Sequence, residues 1–189
     1  MRRFLTEPAR HSVDPPAAAL STLDHHVLHV AAEDKNDTTT HIAARDGRVL
    51  MFVGTKHRAD RLTRQLRASG VDAAALHGGK SQPQRTRALD GFRDGSVQTL
   101  AATSLAARGI DVDDVDLVVN VDPPTTAKDY LHRGGRTARA GRAGRVVTLV
   151  LPEERRETAR LLAEAGVNAV GGTGNHPRPS DPSPQFVDA

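Results

Sequence analysis

The sequence predicts an α/β domain, a parallel sheet with helices packed on both faces. Three observations carry this. Runs of strand length are apolar on both faces, as in RVLMFVG (Arg48–Gly54) and VDLVVNVD (Val115–Asp122). Continuous apolar runs of that kind belong to strands buried on both sides. Helical patterns separate these runs, as the crossovers of a parallel sheet require. The length, 189 residues of which 38% are hydrophobic, suits one domain with a packed core and leaves no room for a second of full size.

The elements follow in order. DHHVLHVAA (Asp24–Ala32) alternates apolar and polar residues, which reads as an edge strand. Asp37 is placed to cap a short helix running through Ala44. The apolar run Arg48–Gly54 is a second strand. Thr55 to Ser69 is an amphipathic helix, with Ala59, Leu62 and Leu66 at helical spacing and Gly70 as its stop. Val71–His77 is a third strand. Ser81 and Pro83 open a helix to about Arg93, Pro being suited to a first turn. Val97–Thr103 and Val115–Asp122 are further buried strands, followed by a helix from Thr126 to about Thr137. Val146–Leu151 is the last strand, and Pro152 opens a helix ending near Gly166. The folded domain is therefore expected over residues 23–166. Residues 1–22, interrupted by Pro8, Pro15 and Pro16, read as a linker. Residues 167–189, with four prolines among the last nineteen positions, read as a disordered tail.

Composition excludes several classes of function. No cysteine is present, which removes disulfide scaffolds, thiolate nucleophiles and Cys-ligated metal sites. Aromatic residues make up 3%, too few for a protein that stacks bases on aromatic platforms. No apolar run is long enough to span a membrane, and no signal-peptide core follows Arg2 and Arg3. A soluble cytoplasmic protein is the expectation. The net charge is only +3, but 22 of the 26 basic residues are arginine, the fork-shaped donor suited to phosphate and carboxylate. His25, His26 and His29 do not suggest a metal site: strand geometry sends His26 and His29 to opposite faces, no other ligand completes a set, and a solvent-facing strand is expected. Asp113, Asp114 and Asp116 read as a solvated turn.

In a parallel sheet, chemistry sits in the loops at the strands' C-terminal ends. This places GTK (Gly54–Lys56), HGG (His77–Gly79), TSLAARGID (Thr103–Asp111) and VDPP (Val121–Pro124) on one rim. Near that rim HRGGRTARAG (His132–Gly141) carries Arg133, Arg136 and Arg139 at every third position, and no acid occurs from Tyr130 to Pro152. The stretch reads either as a solvated basic helix face or as a phosphate-facing cluster.

These residues carry a resemblance. From Asp24 to about Ala165 the chain resembles the C-terminal RecA-like domain of superfamily 2 helicases, and specifically of the DEAD-box RNA helicases. VLMFVGTK is similar to motif IV, TSLAARGID to motif V and YLHRGGRTARAG to motif VI. HGGKSQPQRTRALDGFRDG matches the family's His-Gly, Gln-x-x-Arg and Leu-x-x-Phe pattern, and VVNVDPP its intervening strand. The resemblance implies that Arg136 and Arg139 are arginine fingers acting on the γ-phosphate of ATP. By the same correspondence Gly109 and Asp111 meet the ribose and phosphates of ATP, and His132 links the site to the other lobe. Gly78, Arg85 and Thr103 would hold the RNA backbone, with Gln82 and Arg108 in supporting positions. Such contacts carry no base preference. Ser104 stands where motif V usually has Asp, Gly134 where motif VI usually has an aliphatic residue, and Ala138 where it usually has Gly.

The 189 residues contain no G-x-x-x-x-G-K-[ST] loop and no DEAD sequence. ATP and Mg²⁺ are therefore expected to be bound mainly by an N-terminal RecA-like lobe, in cis or in trans, and the isolated chain is expected to be inactive. Residues 1–22 resemble the end of such a lobe plus its linker. A fragment, a truncated reading frame and one half of a split pair all fit this, and the alternative function is a free-standing lobe that binds RNA or docks to a partner without ATP chemistry.

Overall fold

The computed structural model describes residues 23–107, 112, 115–137 and 144–173. Seven strands form one sheet: β1 (Leu23–His29), β2 (Val49–Phe52), β3 (Ala73–Leu76), β4 (Thr99–Ala102), β5 (Leu117–Asn120), β6 (Gly144–Val150) and β7 (Val170–Thr173). Their spatial order is β3-β4-β2-β5-β6-β1-β7, and every pairing is parallel. The helices are α1 (Lys35–Ala43), α2 (Lys56–Ala68), α3 (Gln82–Asp94), α4 (Ser104–Ala107), α5 (Ala127–Gly134) and α6 (Arg155–Glu164), the last preceded by a 3-10 turn at Pro152–Glu154.

The pleat sorts alternate residues of each strand to opposite faces. Leu50 and Phe52 of β2 pack with Phe92 of α3, Tyr130 of α5 and Leu161 of α6. Val49, Met51 and Val53 pack on the other face with Ala43 of α1 and Ala59, Leu62 and Leu66 of α2. Both faces are thus covered, as the two-sided apolar runs require. Thr55 and Thr126 cap α2 and α5, each accepting a backbone N–H, from Arg58 and Asp129 respectively. Ser81 and Gln84 form a capping box at α3.

Four expectations are corrected. The first strand is not an edge: β1 lies between β6 and β7. The edge beyond it is β7, in the stretch expected to be tail, where two glycines leave too weak an apolar pattern to read. His25 faces the core rather than solvent, buried with its Nδ1 2.9 Å from the Tyr130 hydroxyl. The helix read as capped by Asp37 begins at Lys35, and Asp37 lies within its first turn, where a carboxylate favours the helix dipole. Among the described residues no helix is long and apolar enough to cross a membrane.

Candidate functional site

The C-terminal ends of β2, β3, β4 and β5 bring the loops singled out in the sequence to one rim, and buried side chains tie those loops together. The centre of this arrangement is Arg133 on α5, which is only 6% exposed. Its Nη2 lies 3.0 Å from Asp129 Oδ2, one helical turn back. Its Nη1 donates to Asn120 Oδ1 at 2.9 Å and to the Asp122 carbonyl at 3.0 Å. Its Nε donates to Ser104 Oγ at 3.0 Å, and its guanidinium lies over the Phe52 ring, 4.9 Å from the centroid. Ser104 Oγ in turn donates to Asp129 Oδ2 at 2.9 Å, and Asn120 Nδ2 donates to Thr148 Oγ1 at 3.1 Å. One side chain therefore joins the ends of β2 and β5, the start of α4 and the body of α5. A buried charge needs this degree of pairing to be tolerated.

This corrects the reading of Arg133 as part of a phosphate-facing cluster. The acid-free stretch opens at Tyr130, one residue after the carboxylate that neutralises Arg133. An Asp and an Arg four residues apart on a helix are a readable pair. Asp129 lies just N-terminal to the acid-free stretch. The hydroxyl at Ser104 is not idle either, since it bridges Arg133 and Asp129.

Arg136 follows the Gly135 cap of α5 and is half-exposed, beside a cleft that His132, Ser104 and Phe52 also line. Its backbone is fixed at both ends. The Arg136 N–H donates to the Arg133 carbonyl at 3.2 Å, and the Val115 N–H donates to the Arg136 carbonyl at 3.3 Å. Thr137 Oγ1 then donates to the Val115 carbonyl at 2.6 Å. Gly134 and Gly144 permit the packing behind this loop. A Cβ on Gly134 would stand 3.2 Å from Leu23 Cδ1, and one on Gly144 only 2.7 Å from the Thr137 backbone. Leu23 thus fills the space that a larger residue at position 134 would need. Arg139, Gly109 and Asp111, together with Arg108 and Ala138, lie outside the described residues.

The second half of the rim holds Gly78, Arg85 and Thr103. Gly78 is exposed in the loop after β3, and a side chain there would meet nothing within 4 Å. His77 is 3% exposed. Its Nδ1 accepts the Gly79 N–H at 3.1 Å. Its Nε2 lies 3.1 Å from Asp60 Oδ1. Asp60 also pairs with Lys80 Nζ at 2.8 Å. Burial opposes ionisation of Asp60, but Lys80 and His77 outweigh it and hold the carboxyl below its ordinary range. Arg85 is half-buried in the first turn of α3, and its Nε is buried with no hydrogen-bond partner among the described residues. Thr103 follows β4, and its carbonyl accepts from Ala106 and Ala107 as α4 begins.

A further connection went unread in the sequence. Asp122 Oδ1 lies 3.2 Å from Lys35 Nζ and 2.8 Å from Arg58 Nη2, while Oδ2 accepts the Gly54 N–H at 2.9 Å. Its partners are 64 to 87 residues away in the chain, beyond any local pattern. Chemically the rim carries hydrogen-bond donors of the kind that suit phosphate, at Arg136, Arg85, Thr103 and the backbone of Gly78, held by a buried polar frame. Among the described residues no group of three His, Asp or Glu is placed to hold a metal ion.

Comparison with known proteins gives the family and the fold. The model of the helicase conserved C-terminal domain family matches residues 34–141. The pre-mRNA-splicing ATP-dependent RNA helicase prp-28 of Neurospora crassa is 38% identical over 157 residues, covering 81% of this chain and 22% of the relative. A DEAD box protein from the hyperthermophile Methanococcus jannaschii superposes with a TM-score of 0.76 at 27% identity, covering 80% of this chain and 42% of that one. Dbp5 of S. cerevisiae, solved bound to RNA and ADP BeF3, superposes with a TM-score of 0.74 at 29% identity, covering 80% and 42%. The chain thus spans about a fifth of the length of the curated relative.

Proposed function

The chain belongs to the helicase conserved C-terminal domain family, as the C-terminal RecA-like domain of a DEAD-box helicase, and from that premise we propose that it contributes arginine fingers and RNA-backbone contacts to ATP-dependent RNA remodelling. The observation that carries the proposal is the fixing of Arg136. Its backbone is bonded on one side to Arg133, clamped in the core, and on the other to Val115. A preorganised cation on the rim is what stabilisation of a transferring phosphoryl group needs, because no reorganisation is then required as charge develops. Arg136 and Arg139 act on the γ-phosphate, with Gly109, Asp111 and His132 lining the nucleotide's near side. Gly78, Arg85 and Thr103 take RNA phosphates and sugars, so binding is insensitive to base sequence. The partner-free Nε of Arg85 supports that role.

The remaining machinery is assigned to a second lobe. These 189 residues contain no G-x-x-x-x-G-K-[ST] loop. On this reading ATP and Mg²⁺ are bound mainly by an N-terminal RecA-like lobe, in cis or in trans. The missing phosphate loop also favours a second reading, a lobe that holds RNA or a partner without ATP chemistry. RNA-stimulated ATP hydrolysis by the chain alone and by the chain joined to a DEAD-box N-terminal lobe tests both. Activity only in the joined protein supports the proposal. Hydrolysis by the chain alone, abolished by Arg136→Ala, contradicts it, and a joined protein that binds RNA but never hydrolyses ATP supports the second reading.

A further inference from the structure

We propose that the groove along the open edge of β3 is an RNA-phosphate track that continues the backbone contacts at Gly78 and Arg85; this inference rests on the RNA-binding reading above. β3 is the last strand of the sheet and pairs only with β4. Its free edge floors a groove of about 420 Å³, with Ala74 and Ala75 at the bottom. Arg64 and Arg67 of α2 line one wall, Arg87 of α3 the other, and Lys80 stands at the head.

The sequence produces this wall directly. Arginines at positions 58, 61, 64 and 67 wind around α2. Residues 60, 63, 64 and 67 share the face toward β3, because positions three and four apart stack on a helix. The alanines of β3 are too small to fill the trough between the two helices.

The charge in the groove is unbalanced. Among the described residues Asp60 is the one acid lining it, and it is already engaged by Lys80 and beside His77. Arg64 and Arg87 are exposed and form no ion pair among the described residues. Arg67 donates Nε to the Ala73 carbonyl at 2.7 Å, which holds its guanidinium along the edge. Three arginines and a lysine around one engaged acid call for an extended polyanion.

Continuity decides which polyanion. Lys80 follows Gly78 and Gly79 in the same loop, and Gln84, which also lines the groove, precedes Arg85. A strand held at Gly78 and Arg85 therefore runs straight into the groove. Among the described residues no aromatic side chain lines it, so it holds phosphates without stacking bases and adds no sequence preference. An acidic peptide adding a strand to β3 is disfavoured, since Arg67 already occupies the Ala73 carbonyl on this four-residue edge.

The test measures binding of the full chain to two unstructured single-stranded RNAs, one short and one about twice as long, across a salt series. Each phosphate neutralised on a single strand adds roughly 0.7 to the log–log salt slope. The double variant Arg64→Gln/Arg87→Gln should lower the slope for the longer RNA by about 1.4 and leave the short RNA unchanged. Arg64→Lys/Arg87→Lys should keep most of the slope, and thermal melts of both variants should match the parent. Arg85→Ala should weaken both RNAs. A wild-type slope for the longer RNA in the glutamine variant, with Arg85→Ala still weakening it, overturns the groove and leaves the RNA reading standing. No binding of either RNA by the parent chain removes that reading as well. A poly-glutamate peptide that binds the parent but not the glutamine variant, with RNA binding unaffected, assigns the groove to an acidic protein segment and overturns the track.

Discussion

Arg133 Nη2 and Asp129 Oδ2 are 3.0 Å apart on the buried side of α5, so the carboxylate that fixes this arginine lies one turn before it. The pair is useful because of what else it holds. Through Asn120, Ser104 and the Asp122 carbonyl it sets where α5 ends and where Arg136 begins.

Removing one partner of a buried ion pair leaves an uncompensated charge and costs on the order of 3–5 kcal/mol. Asp129→Asn is therefore expected to destabilise the chain by about 3 kcal/mol. Ser104→Ala, which deletes one bridging hydroxyl, should cost about 1 kcal/mol. Urea unfolding of the two variants checks the order. Equal and small effects would mean the pair is an incidental contact.

Tyr130 is the only tyrosine in the chain and is fully buried. Burial pushes its hydroxyl from the ordinary 10.0 up to about 12, with a hydrogen bond to Thr148 opposing the shift. The folded value lies above the unfolded one. The stabilisation is thus complete below pH 10 and is lost as pH climbs toward about 12. Two units correspond to about 3 kcal/mol. Tyrosinate absorbance should rise only together with loss of helical circular dichroism. Ionisation near pH 10 in a chain that is still folded would contradict this placement.

For Asp60 the sign is opposite. Lys80 and His77 hold its folded value below 3.8 despite burial, so its contribution is present above that pH and disappears as pH falls through the folded value. The carboxylate is one-third exposed, and the contribution is screened to at most about 1 kcal/mol. Asp60→Asn should lower the melting temperature at neutral pH, and the gap from the parent should close in acid. A gap unchanged down to pH about 2 would show that the pair with Lys80 is not what the substitution removes.

Much of the fold was legible because its signals are local. The apolar runs gave β2 to β6 their places, and Thr55, Ser81 and Thr126 marked helix starts within a residue or two. β7 was missed because Gly171 and Gly172 carry no apolar side chain, and the apolar/polar alternation of Asp24–Ala32 read as an edge although β1 is paired on both sides. The rim's loops were readable as Gly, Thr, His and Arg at strand ends. The frame that holds them was not. Arg133 meets Asn120 and Ser104, and Asp122 meets Lys35 and Arg58, through chain reversals that no spacing encodes. Asp129, the acid paired with Arg133, lies one residue before the acid-free stretch that opens at Tyr130.

The most direct test of the account is steady-state ATP hydrolysis, at saturating RNA, by the chain joined to a compatible N-terminal lobe. Arg136→Lys and Arg139→Lys should each cut the rate by at least about 10²-fold, since a finger acts on charge that develops in the transition state and lysine lacks the planar fork. ATP binding should change much less, and Arg142→Lys and Arg145→Lys should be nearly silent. Equal losses at all four arginines would reduce the cluster to a general basic patch and contradict the assignment of Arg136 and Arg139 as arginine fingers.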